Sequence, residues 1–414
     1  MSNLKTPYYD LKAVEDKFNL LYGEKTEFQK KRYLNSFEKF KSLYSTDCAY
    51  IASSSGRVEV IGNHVDHNGG SVLSCAISLD SLCFFLPTDD GKITLYSEGY
   101  GQMIVDINAL DDEKRTSRAL VMGVIKGLKD KGYNVGGFNA YVTSNVVGGA
   151  GISSSASFEV LIAEIENFLY NDGKVTQEEK AIISQYSENV YFEKPCGLLD
   201  QTAISYGGLK KLDFSDKSRI KVTDIKNDLA EYTLILINTG GSHENLTDEY
   251  ASIPKEMFAV AKAYGKERLI ELKEKTFYDK LSEKHTEFSD RAVLRANHFY
   301  EENKRVETAV NALNDGMMEI FLDCVRKSGA SSMSKLQNCY VAGAKEQPIP
   351  KALCICERML KGGANRVHGG GFAGSILNIV SNFFAKDFVK ETSKIYGKEN
   401  VIPLHVRSVG TIVL

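Results

Sequence analysis

The spacing of apolar side chains divides the first quarter of the chain into a helical start and a strand-rich segment. Over residues 11–45, apolar positions such as Leu11, Val14, Phe18 and Leu21 recur every three or four residues, which predicts helix. From 49 to about 107, short apolar runs alternate with glycine and aspartate, which predicts strands. The runs that carry this prediction are RVEVIG, SLCFFLP, KITLYS and MIVDI.

Helices and strands are mixed in the rest of the chain. The pattern predicts helices at 117–130, at SFEVLIAEIENFLY and over most of 250–330, and strands at GFNAYVTSNVV, YTLILIN, SILNIVS and VIPLHVRSVGTIVL. The polar stretch 212–231 is the candidate boundary. We therefore predict an α+β fold of two closely packed halves, residues 1–215 and 216–414.

Composition and charge are those of a globular protein without the features of a nucleic-acid-binding or membrane protein. The chain has 414 residues, of which 43% are hydrophobic and 25% charged, so it can bury a large core in two or three domains. The net charge of −3 without a long basic run gives no indication of nucleic acid or of an anionic membrane as partner. No apolar stretch is long enough to span a bilayer, and the start, MSNLKTPYYD, lacks the apolar core of a signal peptide.

Eight scattered cysteines without a pair of CxxC motifs favour reduced thiols, and hence a cytoplasmic protein. The oligomeric state is open, and a monomer is compatible with the sequence.

Two glycine-flanked segments carry candidate chemistry. GRVEVIGNHVDHNGG, residues 56–70, crowds His64, Asp66 and His67 into one turn, which fits a metal site, a substrate pocket or a self-contained polar turn. GGAGISSSASFEV, residues 148–160, places glycines and serines before an amphipathic helix, where free amide groups favour phosphate. Its alternative is an N-capped helix after a flexible turn.

Other motifs are excluded or weak. The chain has no GxxxxGK[ST], HRD or DFG, and SHENL around His243 lacks the second histidine of HExxH. A third glycine-rich segment, RVHGGGFAGSILNIV at 366–380, taken alone favours a tight packing turn.

Together and in this order, the three segments resemble the GHMP kinase superfamily, and galactokinases most closely. They are similar to that family's GRxNxIGEHTDYNGG, PxGAGLSSSASLE and TGGGFGGC. The segments ALVMGVIKGL, SENVYFEKPCGLLDQ and SHENLTDEY fit further family motifs. The resemblance implies an N-terminal half like ribosomal protein S5 domain 2, a ferredoxin-like C-terminal half, and an ATP-dependent sugar 1-kinase with its site between them.

The resemblance also implies residue roles. Asp200 and Arg57 match the catalytic pair, and Glu188 with Ser154 or Ser155 would bind Mg²⁺. The triphosphate of ATP would contact Gly148, Gly149, Gly151, Ser153, Ser154, Ser155 and Ser157. The sugar would contact Asn63, His64, Asp66, His67 and Tyr250. The metal interpretation of the first segment loses support, because no further ligand cluster accompanies it.

Three departures from the family motifs leave the identity of the sugar substrate undecided. Asn63 replaces a glutamate, His67 replaces a tyrosine, and Val147 replaces a proline before the phosphate loop. We predict galactose as substrate, with galacturonate or another C6-altered galactose as the alternative, which a protonated or donating His67 would favour. A non-catalytic sugar sensor is disfavoured, since GISSSAS, Arg57 and Asp200 are intact. Mevalonate is disfavoured by the HxD pocket and PCGxxDQ.

Overall fold

The computed structural model describes residues 6–23, 27–146, 148–149, 151–226, 229–241 and 246–414. Parts of the segments named in the sequence analysis lie outside these ranges: residues 1–5, 24–26 and 227–228, Val147, Ala150 and the first four residues of SHENLTDEY.

The described helices cover the predicted helical regions and several connecting segments. They are α1 Lys12–Glu15, α2 Phe18–Tyr22, α3 Glu27–Tyr44, α4 Ser117–Asp130, α5 Ser154–Tyr170, α6 Gln177–Tyr186, α7 Leu199–Tyr206, α8 Thr247–Ala263, α9 Glu274–Asp279, α10 Leu281–Lys284, α11 Asp290–Asn314, α12 Met318–Ser331, α13 Pro348–Glu357 and α14 Asn382–Tyr396. A π-helical turn at Ser187–Tyr191 follows α6, and a short 3₁₀ turn lies at Asp66–Asn68.

The strands are β1 Tyr50–Ile61, β2 Ser71–Thr88, β3 Lys92–Ser97, β4 Gly101–Asp106, β5 Gly137–Ser144, β6 Leu209–Asp213, β7 Lys221–Asp224, β8 Tyr232–Asn238, β9 Ala364–Val367, β10 Ser375–Ser381, β11 Val401–Leu404 and β12 Ile412–Val413. Among the described residues they form two sheets. The larger has the order β12-β1-β2-β5-β3-β4, with β6 on β2 and β7 on β6, and the smaller has the order β11-β8-β10-β9. Of these described strand pairs, only that of β3 with β5 is parallel.

The α+β fold class predicted from the sequence is confirmed, with local differences. The predicted helix over 11–45 is divided into α1, α2 and α3, and Gly23 closes α2 with a φ of 76°. The polar stretch 212–231 contains β7, which pairs with β6 of the first sheet. Since β12 also pairs with β1, the chain returns to the first sheet at its far end. The division at residue 215 stays a prediction.

One apolar cluster joins the two sheets. It contains Val58 and Val60 of β1, Leu236 of β8, Leu377 of β10 and Val325 of α12, all fully buried. Because β1 also carries the first glycine-flanked segment, this packing holds that segment against the second sheet. Within the described ranges no helix combines the length and apolarity that crossing a bilayer requires.

Candidate active site

The centre of the candidate site is an ion pair between Arg57 on β1 and Asp200 in the first turn of α7. Arg57 Nε donates to Asp200 Oδ1 at 2.7 Å, and its Nη2 lies 2.7 Å from the same oxygen. The hydroxyl of Ser153, which precedes α5, donates to the other carboxylate oxygen. The structure thus brings together one residue from each of three motifs that lie far apart in the chain.

An irregularity in β1 aims Arg57 at the glycine-rich loop. The register between β1 and β2 shifts between Ser55 and Arg57, and such a bulge redirects the side chain beside it. A Cβ on Gly56 would lie only 2.8 Å from the carbonyl oxygen of Ile152, so glycine permits this close approach. Arg57 N donates to Ile152 O at 3.2 Å, and its Nη1 donates to Gly151 O at 2.5 Å.

The surroundings of Asp200 keep its carboxyl group ionised. Burial acts to raise the pKa of Asp200, but the charge of Arg57 and the hydrogen bond from Ser153 outweigh it, so the pKa lies below its ordinary value of 3.8. At neutral pH Asp200 is therefore an acceptor of hydrogen bonds. A low pKa also makes it a weak base, which suits the orientation of a hydroxyl more than complete removal of its proton.

The described part of the glycine-rich loop, residues 148–149 and 151–153 (called the phosphate loop after its expected role), leads directly into the N-terminus of α5. Gly149 and Gly151 have φ angles of 79° and 75°, and Ser153 at the N-cap position has a φ of 64°. The Ser153 side chain does not cap the helix, because its hydroxyl is bonded to Asp200. The first amide groups of α5 are thus left for another acceptor, as at anion-binding helix termini.

Ser157 differs from its predicted role as a contact of the nucleotide. Its side chain is fully buried and donates to Ser54 O at 2.9 Å, and its Oγ lies 2.9 Å from Ser81 Oγ. At the fourth position of α5 it points towards the sheet, so these contacts hold the helix on β1 and β2 and direct the hydroxyl away from the loop.

Ser155 and Glu188 are the residues whose oxygens fit a magnesium ion. The Ser155 hydroxyl donates to Glu188 Oε1 at 2.8 Å, and Glu188 lies in the π-helical turn with 2% of its surface exposed. Of the two predicted serines, Ser155 is thus the one that pairs with Glu188. Among the described residues no group of three or more His, Cys, Asp or Glu side chains could hold a metal. A hydroxyl and a carboxylate oxygen are ligand types that Mg²⁺ uses together with phosphate and water oxygens.

His64 and Tyr250 contact the third glycine-rich segment. His64 Nε2–H donates to Gly370 O at 2.9 Å, and the Tyr250 hydroxyl donates to Gly371 O at 2.8 Å. A Cβ on Gly370 would lie 2.6 Å from the Tyr250 ring, so glycine allows the ring to pack on the backbone. Burial lowers the pKa of His64, which keeps its ring neutral.

Asp66 and His67 point in different directions from the same turn. A Cβ on Gly197, in the PCGLLDQ segment, would overlap Asp66 Oδ2, so this carboxylate lies against the segment that carries Asp200. Burial, with a smaller contribution from the Asp200 charge, raises the pKa of Asp66 to about 6. Asn68 Nδ2 donates to His67 Nδ1 at 2.8 Å, which places the His67 proton on Nε2, a buried atom without a partner among the described residues.

Burial and the neighbouring His64 lower the pKa of His67 to about 3. His67 is therefore neutral near neutral pH in the free protein. The neutral ring can donate one hydrogen bond to a ligand, but it offers no charge to an acidic sugar.

Asn63 has no exposed surface and lies in a network of protein groups. Its Nδ2 donates to Glu59 Oε1 at 3.0 Å and to Gly369 O at 2.8 Å. Its Oδ1 accepts from Asn338 Nδ2 at 2.8 Å and from the Ser332 hydroxyl at 3.4 Å. All four hydrogen-bonding positions of the amide are taken, so contact with a sugar requires one of these bonds to be given up. The role of Asn63 towards C6 stays a prediction.

Several charged or polar neighbours of the site were missed by the sequence analysis. Glu59, two residues after Arg57 on the same face of β1, forms a buried ion pair with Arg366 at 3.0 Å. His368 Nε2 accepts from Glu59 N at 3.3 Å. Lys194 lies 2.7 Å from Glu188 Oε1. For Glu59 alone the sequence offered a signal: it lies two residues after Arg57 in a predicted strand, and residues with this spacing share a face.

Comparison with known proteins gives the family context of this geometry. The family model of the galactokinase galactose-binding signature matches residues 38–86, and that of the GHMP kinase N-terminal domain matches residues 119–208. The chain is 31% identical to a galactokinase of Clostridium tetani over 376 residues, which cover 88% of this chain and 93% of that one. It is 32% identical to a galactokinase of Lactobacillus helveticus over 384 residues, covering 90% and 94%.

Solved structures agree with this at the level of the fold. The structure of Lactococcus lactis galactokinase complexed with galactose superposes with a TM-score of 0.80 at 23% identity, covering 92% of this chain and 100% of that chain. Methanococcus jannaschii mevalonate kinase superposes with a TM-score of 0.60 at 18% identity, covering 86% and 98%.

Proposed function

Because this chain belongs to the galactokinase family of GHMP kinases and is a sugar kinase, we propose that it transfers the γ-phosphoryl group of ATP to the C1 hydroxyl of galactose. The products are galactose 1-phosphate and ADP. The observation that carries the proposal is the contact of Asp200 with both Arg57 and Ser153 beside the phosphate loop.

Asp200 acts on the attacking hydroxyl. Its ionised carboxylate accepts a hydrogen bond from the C1 hydroxyl and orients its oxygen in line with the γ-phosphorus. A bond then forms between the sugar oxygen and phosphorus, while the bond from phosphorus to the β–γ bridging oxygen breaks. The hydroxyl proton passes to Asp200 only as the new bond to phosphorus forms and makes the hydroxyl acidic, and Asp200 then releases it to solvent. Arg57 and the amide groups at the start of α5 stabilise the charge that is spread over the phosphoryl oxygens.

Ser155 and Glu188 would hold Mg²⁺ together with the phosphates. When bound, the ion neutralises phosphate charge. Asp66, His64 and the Nε2–H of His67 supply acceptors and donors for ring hydroxyls, and Tyr250 packs beside them on the glycine-rich segment. The match of residues 38–86 to the galactose-binding signature supports galactose as the sugar.

A panel of sugars with Mg·ATP tests the proposal. We expect ADP release with galactose and a product whose phosphorus couples to C1 in nuclear magnetic resonance spectra. If kcat/KM is higher for galacturonate than for galactose, galacturonate is the preferred substrate and the proposal of galactose is wrong. Binding of both ligands without any ADP release would instead identify a sensor, and phosphate on another hydroxyl would contradict the assigned reaction.

The variant Asp200→Asn tests the catalytic centre. Asparagine still accepts a hydrogen bond from Arg57 but binds protons and orients the hydroxyl poorly, so we expect turnover to fall by about two orders of magnitude or more. Calorimetric affinities for galactose and ATP should stay close to those of the unchanged protein. Near-normal turnover in this variant would remove Asp200 from its role.

A further inference from the structure

Lys194 occupies the position where a cation would meet Glu188. Its Nζ lies 2.7 Å from Glu188 Oε1, the same oxygen that accepts from the Ser155 hydroxyl. Lys194 N also donates to Glu188 O at 3.1 Å, so main chain and side chain both connect these residues. Nothing in the roles implied by the family resemblance used this lysine.

The backbone around Glu188 holds its carboxylate in place and then bends so that Lys194 lies close to it. Glu188 lies in a π-helical turn, a rare form often found at functional sites. The turn is anchored by the Ser187 hydroxyl, which donates to Leu120 O at 2.7 Å. Glu193 has a φ of 56°, unusual for a residue with a side chain, and this bend brings Lys194 back over Glu188.

The two ends of this ion pair differ in their freedom to move. Glu188 is 2% exposed, and its second oxygen accepts from Gln201 Nε2 at 2.9 Å and from Cys196 Sγ at 3.4 Å. The Lys194 side chain is 60% exposed. The carboxylate is therefore held in place by several groups, whereas the ammonium group can move on a flexible stem.

Two ion pairs lie beside the loop before any phosphate is present. Arg57 pairs with Asp200, and Lys194 pairs with Glu188. A polyphosphate entering this site brings several negative charges, and the exposed ammonium group of Lys194 is a cation that can turn towards them.

We propose that Lys194 is a phosphate-binding residue, which rests on Glu188 in the free protein and binds an oxygen of the ATP polyphosphate when the nucleotide enters. This rests on the proposed kinase function. Lysine is a compact point charge that suits phosphate oxygens. Its departure leaves Glu188 Oε1 to a divalent cation. The lysine therefore gives the chain affinity for ATP even when no divalent cation is present.

Calorimetry of ATP binding in the presence of a chelator tests the proposal. We expect Lys194→Met to weaken metal-free ATP binding by about tenfold or more, the scale of one charge-assisted hydrogen bond, and Lys194→Arg to retain most of it. Lys114 is the matched control, because its ammonium group reaches the same π-helical turn from the segment before α4, where it lies 4.1 Å from the Tyr191 ring centre and 3.1 Å from Val190 O. Lys114→Met should leave the affinity unchanged.

The galactose affinity and the melting temperature of Lys194→Met show whether the variant is folded and keeps its sugar site. Both values should match those of the unchanged protein. Equal metal-free ATP affinity in Lys194→Met and the unchanged protein would overturn the proposal. If the unchanged protein binds no ATP with or without Mg²⁺, the proposed kinase function itself fails, which is a different result.

A second measurement needs no variant. An amine-reactive acylating reagent, mapped by mass spectrometry, should label Lys194 more slowly when metal-free ATP is present, while labelling of Lys114 stays constant. Unchanged labelling of Lys194 at saturating ATP would also overturn the proposal.

Discussion

Asp66 shows how burial at a single residue sets the response of the site to pH. Its pKa of about 6 lies above the ordinary 3.8, so ionisation of this group costs stability in the free protein as pH rises from about 4 to about 6. The ionised form is the better acceptor for sugar hydroxyls. We expect galactose affinity, measured by calorimetry, to rise by about tenfold between about pH 5 and about pH 7.

The variant Asp66→Asn is the control for this assignment, because the amide keeps the shape but does not ionise. Its galactose affinity should be weaker and flat over the same pH range. His67, with a pKa of about 3, does not titrate there. If the pH dependence persists in Asp66→Asn, another group is responsible and the interpretation of Asp66 is wrong.

The phosphate loop is the element whose backbone conformation limits substitution. Gly151 has a φ of 75°, and a β-branched residue there is strained by about 1–3 kcal/mol. A Cβ at this position would meet only His368, whose Nδ1 lies 3.5 Å away, so space is not the obstacle. We expect Gly151→Val to displace the loop and weaken ATP binding by about tenfold or more, with little effect on galactose, both measured by calorimetry.

Gly132 offers a matched control for backbone strain. It has a φ of 81° just after the end of α4, outside the phosphate loop, and a Cβ at this position would meet nothing within 4 Å. Gly132→Val should therefore lower the melting temperature without changing ATP affinity. If both variants lose ATP affinity equally, the effect comes from general destabilisation rather than from the loop.

Elements with a strong local pattern were predictable, whereas side-chain directions were not. Helix α4 begins and ends at the predicted residues because its apolar stripe is regular. Arg57 and Asp200 were found through motifs, and the structure brings them together. Ser157 and Asn63 lie in matching motifs too, but their directions depend on partners that lie far away in the sequence, such as Ser81 and Asn338. Periodicity carries no information about such partners.

At the scale of the whole molecule, Arg407 connects the end of the chain to the first sheet. Its guanidinium is fully buried and donates to the Ser53 hydroxyl at 2.7 Å, to Ser53 O at 3.1 Å, to Gly410 O at 3.0 Å and to Val409 O at 3.0 Å. Asp80 lies 3.8 Å away. We expect Arg407→Met to lower the free energy of unfolding by about 3–5 kcal/mol, since several buried acceptors lose their donor. Urea denaturation measures this loss.

Arg115 provides the comparison, because its ion pair with Glu193 is largely in solvent, with side chains 73% and 43% exposed. Arg115→Met should change the free energy of unfolding by less than about 1 kcal/mol. Similar losses in both variants would mean that the contacts of Arg407 do not stabilise the fold.

The pairing of β12 with β1 also has a consequence for biosynthesis. Ala52 pairs with Val413, so the ribosome must add about 360 residues before the edge of β1 can be covered. At about 5–20 residues per second, this leaves the edge of a buried strand open at Ala52 and Ser53 for about 20–70 s. Open strand edges invite pairing with other chains. Newly made protein should therefore depend on chaperones until translation passes residue 413, and slow translation or a stall in the last segment should increase aggregation.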